Sequence, residues 1–266
     1  MHTREEQMKA FGRLLDVLDE LRVKCPWDRK QTNESLRPNT IEEVYELCDA
    51  LMKKDTPNIC KELGDVLLHV VFYAKIGSET GDFDIKDVCD RLCDKLIFRH
   101  PHVFGEVKAD TAEQVSENWE QIKLKEKGGN KSVLSGVPEA LPSLIKSYRI
   151  QDKARNVGFD WEEREQVWDK VKEEITEFEA EVAHMDRDKA EAEFGDLMFS
   201  LVNAARLYKI NPDNDLERTN QKFIRRFNYL EEHTLKQGRN LTDMTLEEMD
   251  AIWNEAKEKE RNSENR

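Results

Sequence analysis

An acidic pattern written twice constrains this chain more than any other feature. Glu42-Glu43 and Glu46 are followed, after fifteen residues, by Glu62, Gly64 and Asp65. Glu173-Glu174 and Glu177 are followed at the same interval by Glu193, Gly195 and Asp196, so every pair is offset by 131 residues without a gap. Ala74 and Ala205 keep the offset, and Val66-Leu67-Leu68 is answered by Leu197-Met198-Phe199. Self-similarity at one fixed spacing is the mark of a duplicated module. A weaker echo follows in shifted register. Lys95 and Arg99 resemble Lys222 and Arg226, and Trp119 and Lys123 resemble Trp253 and Lys257, each pair four apart.

The residues around these acids recur at helical spacing, as in Phe11-Leu14-Leu15-Leu18-Leu21 and Val44-Leu47-Cys48-Leu51. Alternating strand-like runs are absent, and with 11 Gly and 7 Pro the turns of an all-β sandwich are too few. The reading is an all-α protein. Val66 to Phe72 is apolar nearly all round, as expected of a central core helix. One cluster of helix breakers (Gly128-Gly129, Gly136, Pro138, Pro142) marks a linker. The expected domains are an N-terminal module over 1–125, a linker over 126–143 and a C-terminal module over 144–258, with a fraying polar tail over 259–266.

Charge narrows the function. At a net charge of −14 the chain repels nucleic-acid phosphates, so nucleic acid is not an expected partner. No run approaches the roughly 18 apolar residues of a membrane span, and the first residues carry no apolar signal core. Five cysteines without a CxxC fit a reduced, cytoplasmic setting, with Cys89 and Cys93 expected on a core-facing helix side.

In a helix, residues three and four apart share a face. Glu174 and Glu177 therefore point one way beside Glu173, and Glu193 and Asp196 share a face on a second helix. The segment around Met185 allows a short connection, so two antiparallel helices would present their acids at one level. Gly195 is expected where those helices approach closely. Carboxylates so gathered repel unless neutralised, and hard divalent cations are their natural counter-ions. Magnesium takes only one or two carboxylates, so four or five acids point to more than one ion. Such ions serve phosphoryl chemistry. A single EExxE is usually a solvated surface. Here the spacing is repeated, the second pair adjoins strongly apolar turns, and cations and a stacking aromatic follow.

Taken together, the paired EExxE and ExxD segments resemble the MazG-type family of all-α nucleoside triphosphate pyrophosphohydrolases. Cys25-Pro26-Trp27-Asp28, Arg99-His100-Pro101-His102-Val103-Phe104, Asn156-Val157-Gly158-Phe159-Asp160-Trp161 and Asn220-Gln221-Lys222-Phe223 with Arg225-Arg226-Phe227 extend the likeness over nearly the whole chain. The resemblance implies two tandem four-helix-bundle-like modules, paired in a homodimer. It implies Mg2+-dependent hydrolysis of NTPs and dNTPs, with broad specificity, to the monophosphate and pyrophosphate, by metal-activated water attacking the α-phosphorus. Mn2+ would substitute. Glu174, Glu177, Glu193 and Asp196 would be metal ligands. Glu173, Glu174, Lys222 and Arg226 would carry catalysis. Lys222, Arg226, Trp253 and Lys257 would hold triphosphate and base, joined by Lys189 reaching in from four residues before Glu193.

The N-terminal copy would use Glu42, Glu43, Glu46, Glu62 and Asp65, with Lys95, Arg99, Trp119 and Lys123. Asn58, beside Pro57, stands where the other half has Lys189, so the C-terminal site is the expected main catalyst. The rival readings are a specialist for dUTP, dCTP or phosphoribosyl-ATP and a non-catalytic helical interaction module. A di-iron bundle lacks its Glu-x-x-His pairs, and the His and Cys spacings match no zinc finger.

Overall fold

The computed structural model describes residues 1–109, 111, 114–115, 122 and 132–264, and among them every regular element is helical. Trp119 and Lys123 lie outside the described residues. The chain divides into two compact units, Met1–Val115 and Ser116–Arg266.

In the first unit, α1 (Arg4–Lys24) starts at a capping box in which Thr3 and Glu6 satisfy each other's backbone N–H groups. α2 (Asn33–Lys53) and α3 (Thr56–Thr80) form a tight helical hairpin. Lys54 closes α2 in the left-handed region at φ 55°, and Asp55 caps α3 through the Asn58 N–H. α4 (Ile85–Arg99) and the single turn α5 (Pro101–Phe104) follow. α1 and α4 both pack on α3. The core joins Leu18, Leu36, Val71 and Phe72, with Phe11, Leu14, Leu15 and Tyr73 packed around them. Each such apolar side chain contributes about 1.5–3 kcal/mol when fully buried.

The second unit repeats the plan. Here α6 (Ser143–Arg155) packs on α8 (Arg187–Leu207), which forms the hairpin with α7 (Val167–His184). α9 (Pro212–Lys236) packs on α6 and α8, and α10 (Leu246–Glu264) packs on α9. The hairpin turn is again two residues. Met185 is left-handed at φ 55° and Asp186 caps α8, each 131 residues after its counterpart. The core of this unit is smaller: Val167, Val171 and Ala204, with Leu197, Leu207 and Tyr208 against them.

Several expectations are corrected. α3 is not buried all round. Its His69, Val71, Phe72 and Ala74 are buried, while Leu63, Leu67 and Val70 are exposed. Cys89 and Cys93 are exposed as well, beside exposed Leu92 and Leu96, because the apolar side of α4 is only partly covered within its unit. A Cβ on Gly64 or Gly195 would meet nothing within 4 Å, so neither glycine serves close packing inside its hairpin. α10 runs through Glu264, so residues 259–264 of the expected fraying tail are helical, and Glu260 holds Arg226 there.

Candidate functional site

Each hairpin presents its acids as the spacing predicts. On α7 and α8, carboxylate oxygens of Glu174, Glu177 and Glu193 all lie within 4.8 Å of one another. On α2 and α3 the same holds for Glu43, Glu62 and Asp65. Asp196 and Glu46 complete the two sets electrostatically. The Glu193 pKa is raised, first by desolvation and then by the charges of Glu177, Asp196 and Glu174. The Glu43 pKa is raised by desolvation and then by Asp65, Glu46 and Glu62, with Lys61 acting the other way. Glu42 and Glu173 are exposed at the flank of each set.

The sets differ in which acid is buried and where its cation comes from. In the second unit Glu174 is buried, and Lys170 on the same helix sits 2.8 Å from Glu173 Oε1 and 2.6 Å from Glu174 Oε1. The hydrogen bonds that Lys170 donates to these two carboxylates, to Glu173 first, hold its pKa well above its ordinary value. In the first unit Glu62 is buried, and Lys61 pairs with it at 2.8 Å and with Asp65 at 3.6 Å. The residue matching Lys170 there is Asn39, and the one matching Lys61 is Ala192. Sequence reasoning missed Lys170. Its position three and four residues before two signature acids was a usable signal, but comparison of the halves concealed it.

The predicted cations fall elsewhere. Lys189 does not reach the acids: its ammonium is 3.3 Å from Asp186 at the start of α8, where its backbone N–H is also capped. Arg226 on α9 is held by Glu260 on α10 at 2.7 Å and lies over the Trp253 ring at 5.9 Å, with Phe223 against the same Trp253 ring at 5.0 Å. Lys257 donates to Asn254 at 3.4 Å, and Lys222 is exposed. Arg226 and Trp253 are therefore brought together, on a face whose ion pair is internal. Among the described residues, the cation paired with the C-terminal acids is Lys170. Lys95 is exposed on α4, which also carries Arg99.

A cavity of about 710 Å³ opens beside the C-terminal set, with Lys170, Glu174 and Asp196 in its wall. Its size lies in the range of small-molecule sites.

Helical hairpins that hold a clustered carboxylate set against a cavity define a class of all-α protein suited to binding a hard cation and an anionic ligand together. Residues 31–104 and 162–230 match the MazG nucleotide pyrophosphohydrolase domain, one stretch on each acidic hairpin. The chain belongs to that enzyme family. It is 41% identical to the nucleoside triphosphate pyrophosphohydrolase of Escherichia coli (strain K12) over 95% of this chain and 99% of that protein. It is 43% identical to the nucleoside triphosphate pyrophosphohydrolase/pyrophosphatase MazG of Thermotoga maritima, over 93% of this chain and 95% of that one. It is also 48% identical to the uncharacterized protein YabN of Bacillus subtilis, over 95% of this chain and 53% of that one.

Proposed function

We propose that this enzyme hydrolyses nucleoside triphosphates, both NTPs and dNTPs, to the monophosphate and pyrophosphate at the C-terminal acidic set. The observation that carries the reading is the meeting of that set with Lys170 at the mouth of a ligand-sized cavity. Names of two full-length relatives point the same way.

The residues present fit a hard cation. The donors are all carboxylate oxygens, and desolvation, then repulsion between acids, raises the pKa of one acid in each set. In the first unit Glu62 Oε2 is buried with no partner among the described residues, an acceptor that a cation would satisfy. Glu174, Glu177, Glu193 and Asp196 would hold Mg2+, with Mn2+ as a substitute, and more than one ion per set suits the number of acids. When bound, the cation activates water and offsets charge on the phosphates. Lys170 places a positive charge where a phosphate chain would enter. Glu173, exposed beside it, is placed to orient water. Lys222, Arg226 and Lys257 would bind phosphate oxygens, with Trp253 packed beside Arg226 and Arg226 exchanging its Glu260 partner to do so. Glu42, Glu43, Glu46, Glu62 and Asp65 form the lesser site.

The working unit is a homodimer. Leu63, Leu67 and Val70 on α3, and Phe194, Met198 and Leu201 on α8, form matching exposed stripes at helical spacing, which a second copy would cover. The exposed free thiols fit a reducing, cytoplasmic setting, and no helix among the described residues is long and apolar enough to cross a membrane. The test is incubation with each NTP and dNTP plus Mg2+, separating monophosphate and pyrophosphate from diphosphate and phosphate. Broad pyrophosphate release is expected, lost in Glu177→Gln. Turnover of one substrate alone would mark a specialist, and no turnover a binding module.

A further inference from the structure

The cavity beside the C-terminal acids has a wall chemistry that the acids do not explain. Gln151 on α6 is buried, and its side-chain N–H group donates to the Phe199 carbonyl at 2.8 Å. A carbonyl only accepts, so the amide orientation is fixed and Gln151 Oε1 is left as an acceptor. That oxygen is buried and has no partner among the described residues. An orphaned acceptor of this kind is destabilising unless a donor arrives. One turn along α8 from Phe199 stands Asn203. Its Oδ1 accepts from Arg206 Nε at 3.0 Å and Nη2 at 2.8 Å. Arginine only donates, so Asn203 must present its NH2 group on the other side. Among the described residues that group has no hydrogen-bond acceptor. The wall of the cavity thus carries one fixed acceptor, from α6, and one fixed donor, from α8.

The rim is aromatic. α6 ends with Gly158 at φ 87°, where the Gly158 N–H reaches Arg155 and the Phe159 N–H reaches Ala154. This turn throws Phe159 outward, 83% exposed, and Trp161 lies beyond it on the same cavity. Asp160 between them is tied to Arg206 at 3.0 Å, which anchors the rim to the helix that carries Asn203.

The other half of the molecule supplies a control. At the 131-residue offset, Ser200, Asn203 and Ala204 correspond to His69, Phe72 and Tyr73. Those larger side chains fill their unit. Phe72 is 2% exposed in the core with Leu18 and Leu36. The Thr40 hydroxyl is 2.9 Å from His69 Nδ1 and 2.6 Å from the Tyr73 hydroxyl. The acids are kept in both copies, but Ser200 and Asn203, which line the cavity in one half, are replaced in the other by larger side chains packed against their neighbours.

We propose that this cavity holds the nucleoside of the substrate, with Phe159 and Trp161 against the base plane and Gln151 and Asn203 reading its edge. The proposal rests on the assignment of the neighbouring acids to triphosphate hydrolysis. An acceptor beside a donor also accounts for breadth. Adenine offers its N6 amino group beside N1, cytosine its N4 amino group beside N3, guanine its N1–H beside O6, and uracil or thymine its N3–H beside O4. The order is the same in adenine and cytosine and reversed in guanine and uracil or thymine, so the pair meets the two groups of bases in two poses, one turned over relative to the other.

The experiment uses the full-length enzyme with Mg2+ and measures KM and kcat for each NTP and dNTP, together with binding of a non-hydrolysable ATP analogue. Asn203→Phe, the residue of the other half, is expected to raise KM about ten-fold or more for all bases, with Mn2+ binding to the acids unchanged. Asn203→Leu, which keeps the volume and removes the donor, is the second variant if the first does not fold, and is expected to raise KM about ten-fold. Unchanged KM and analogue affinity in a folded variant would overturn the proposal. An effect confined to one base would overturn the unselective reading. Full turnover by Glu177→Gln would instead overturn the acid assignment, and analogue binding by the Asn203 variants would still report on the cavity.

Discussion

Glu193 shows how a single residue records what its site is for. Its folded pKa lies above the ordinary carboxylate value, chiefly because it is desolvated and then because Glu177, Asp196, Glu174 and Glu181 repel its charge. A carboxyl with a raised folded pKa binds more protons folded than unfolded. Stability is therefore lost as pH rises from the ordinary value through the raised one, and stays lost above it. Glu193→Gln is expected to raise the melting temperature at pH 8 in the absence of divalent cations, with little change near pH 4, as followed by circular dichroism. Added Mg2+ should narrow that gap by stabilising the parent alone. At this scale the acids were legible because i, i+3 and i, i+4 spacing places side chains by geometry alone. Lys170 was less so, because a cation matters here only through the partners that the fold supplies. Gln151 and Asn203 were not legible at all. Their importance lies in which amide atom is left over once Phe199 and Arg206 have been served, and no sequence pattern states that.

The element that carries each acid set is the helical hairpin, and its integrity depends on the two-residue tip. Asp186 and Asp55 each accept a backbone N–H of the following helix, at 3.2 Å from Lys189 and 3.3 Å from Asn58. Loss of such a cap costs about 1 kcal/mol. Asp186→Ala should lower unfolding free energy by roughly that amount in urea titration, and should loosen amide protection at the start of α8 while leaving that of α2 and α3 intact. Helical periodicity made the hairpin legible before its tip was placed. It misjudged Cys89, Cys93 and the outer face of α3, because an apolar stripe in a sequence does not say whether it is covered from within the unit or from outside.

At the scale of the molecule, the duplication was fully legible, since identity of spacing needs no structure to be seen. The structural asymmetry of the copies was only partly so. Lys189 against Asn58 pointed at a real difference in sequence, but Lys189 faces Asp186, and the larger contrast is Asn203 on a cavity wall against Phe72 in a core. The matching stripes on α3 and α8 bear on assembly. Met198→Glu and Leu67→Glu, which place a charge in each exposed stripe, are expected to shift the sedimentation of the protein from dimer toward monomer. A parent that sediments as a monomer at all concentrations would remove the homodimer from the proposed function.

The two-residue tip has a consequence for how such chains can vary. An α-helix turns about 100° per residue, so one residue added between Met185 and Glu193 would swing Glu193 and Asp196 roughly a quarter-circle away from Glu174 and Glu177. About seven residues restore the heading, and they must be added to both arms to keep the acids level. Length in this interval is thus geared. Chains of this kind can grow there only in matched double turns, and a gap of any other size inside the fifteen-residue interval marks a hairpin whose two halves no longer mesh.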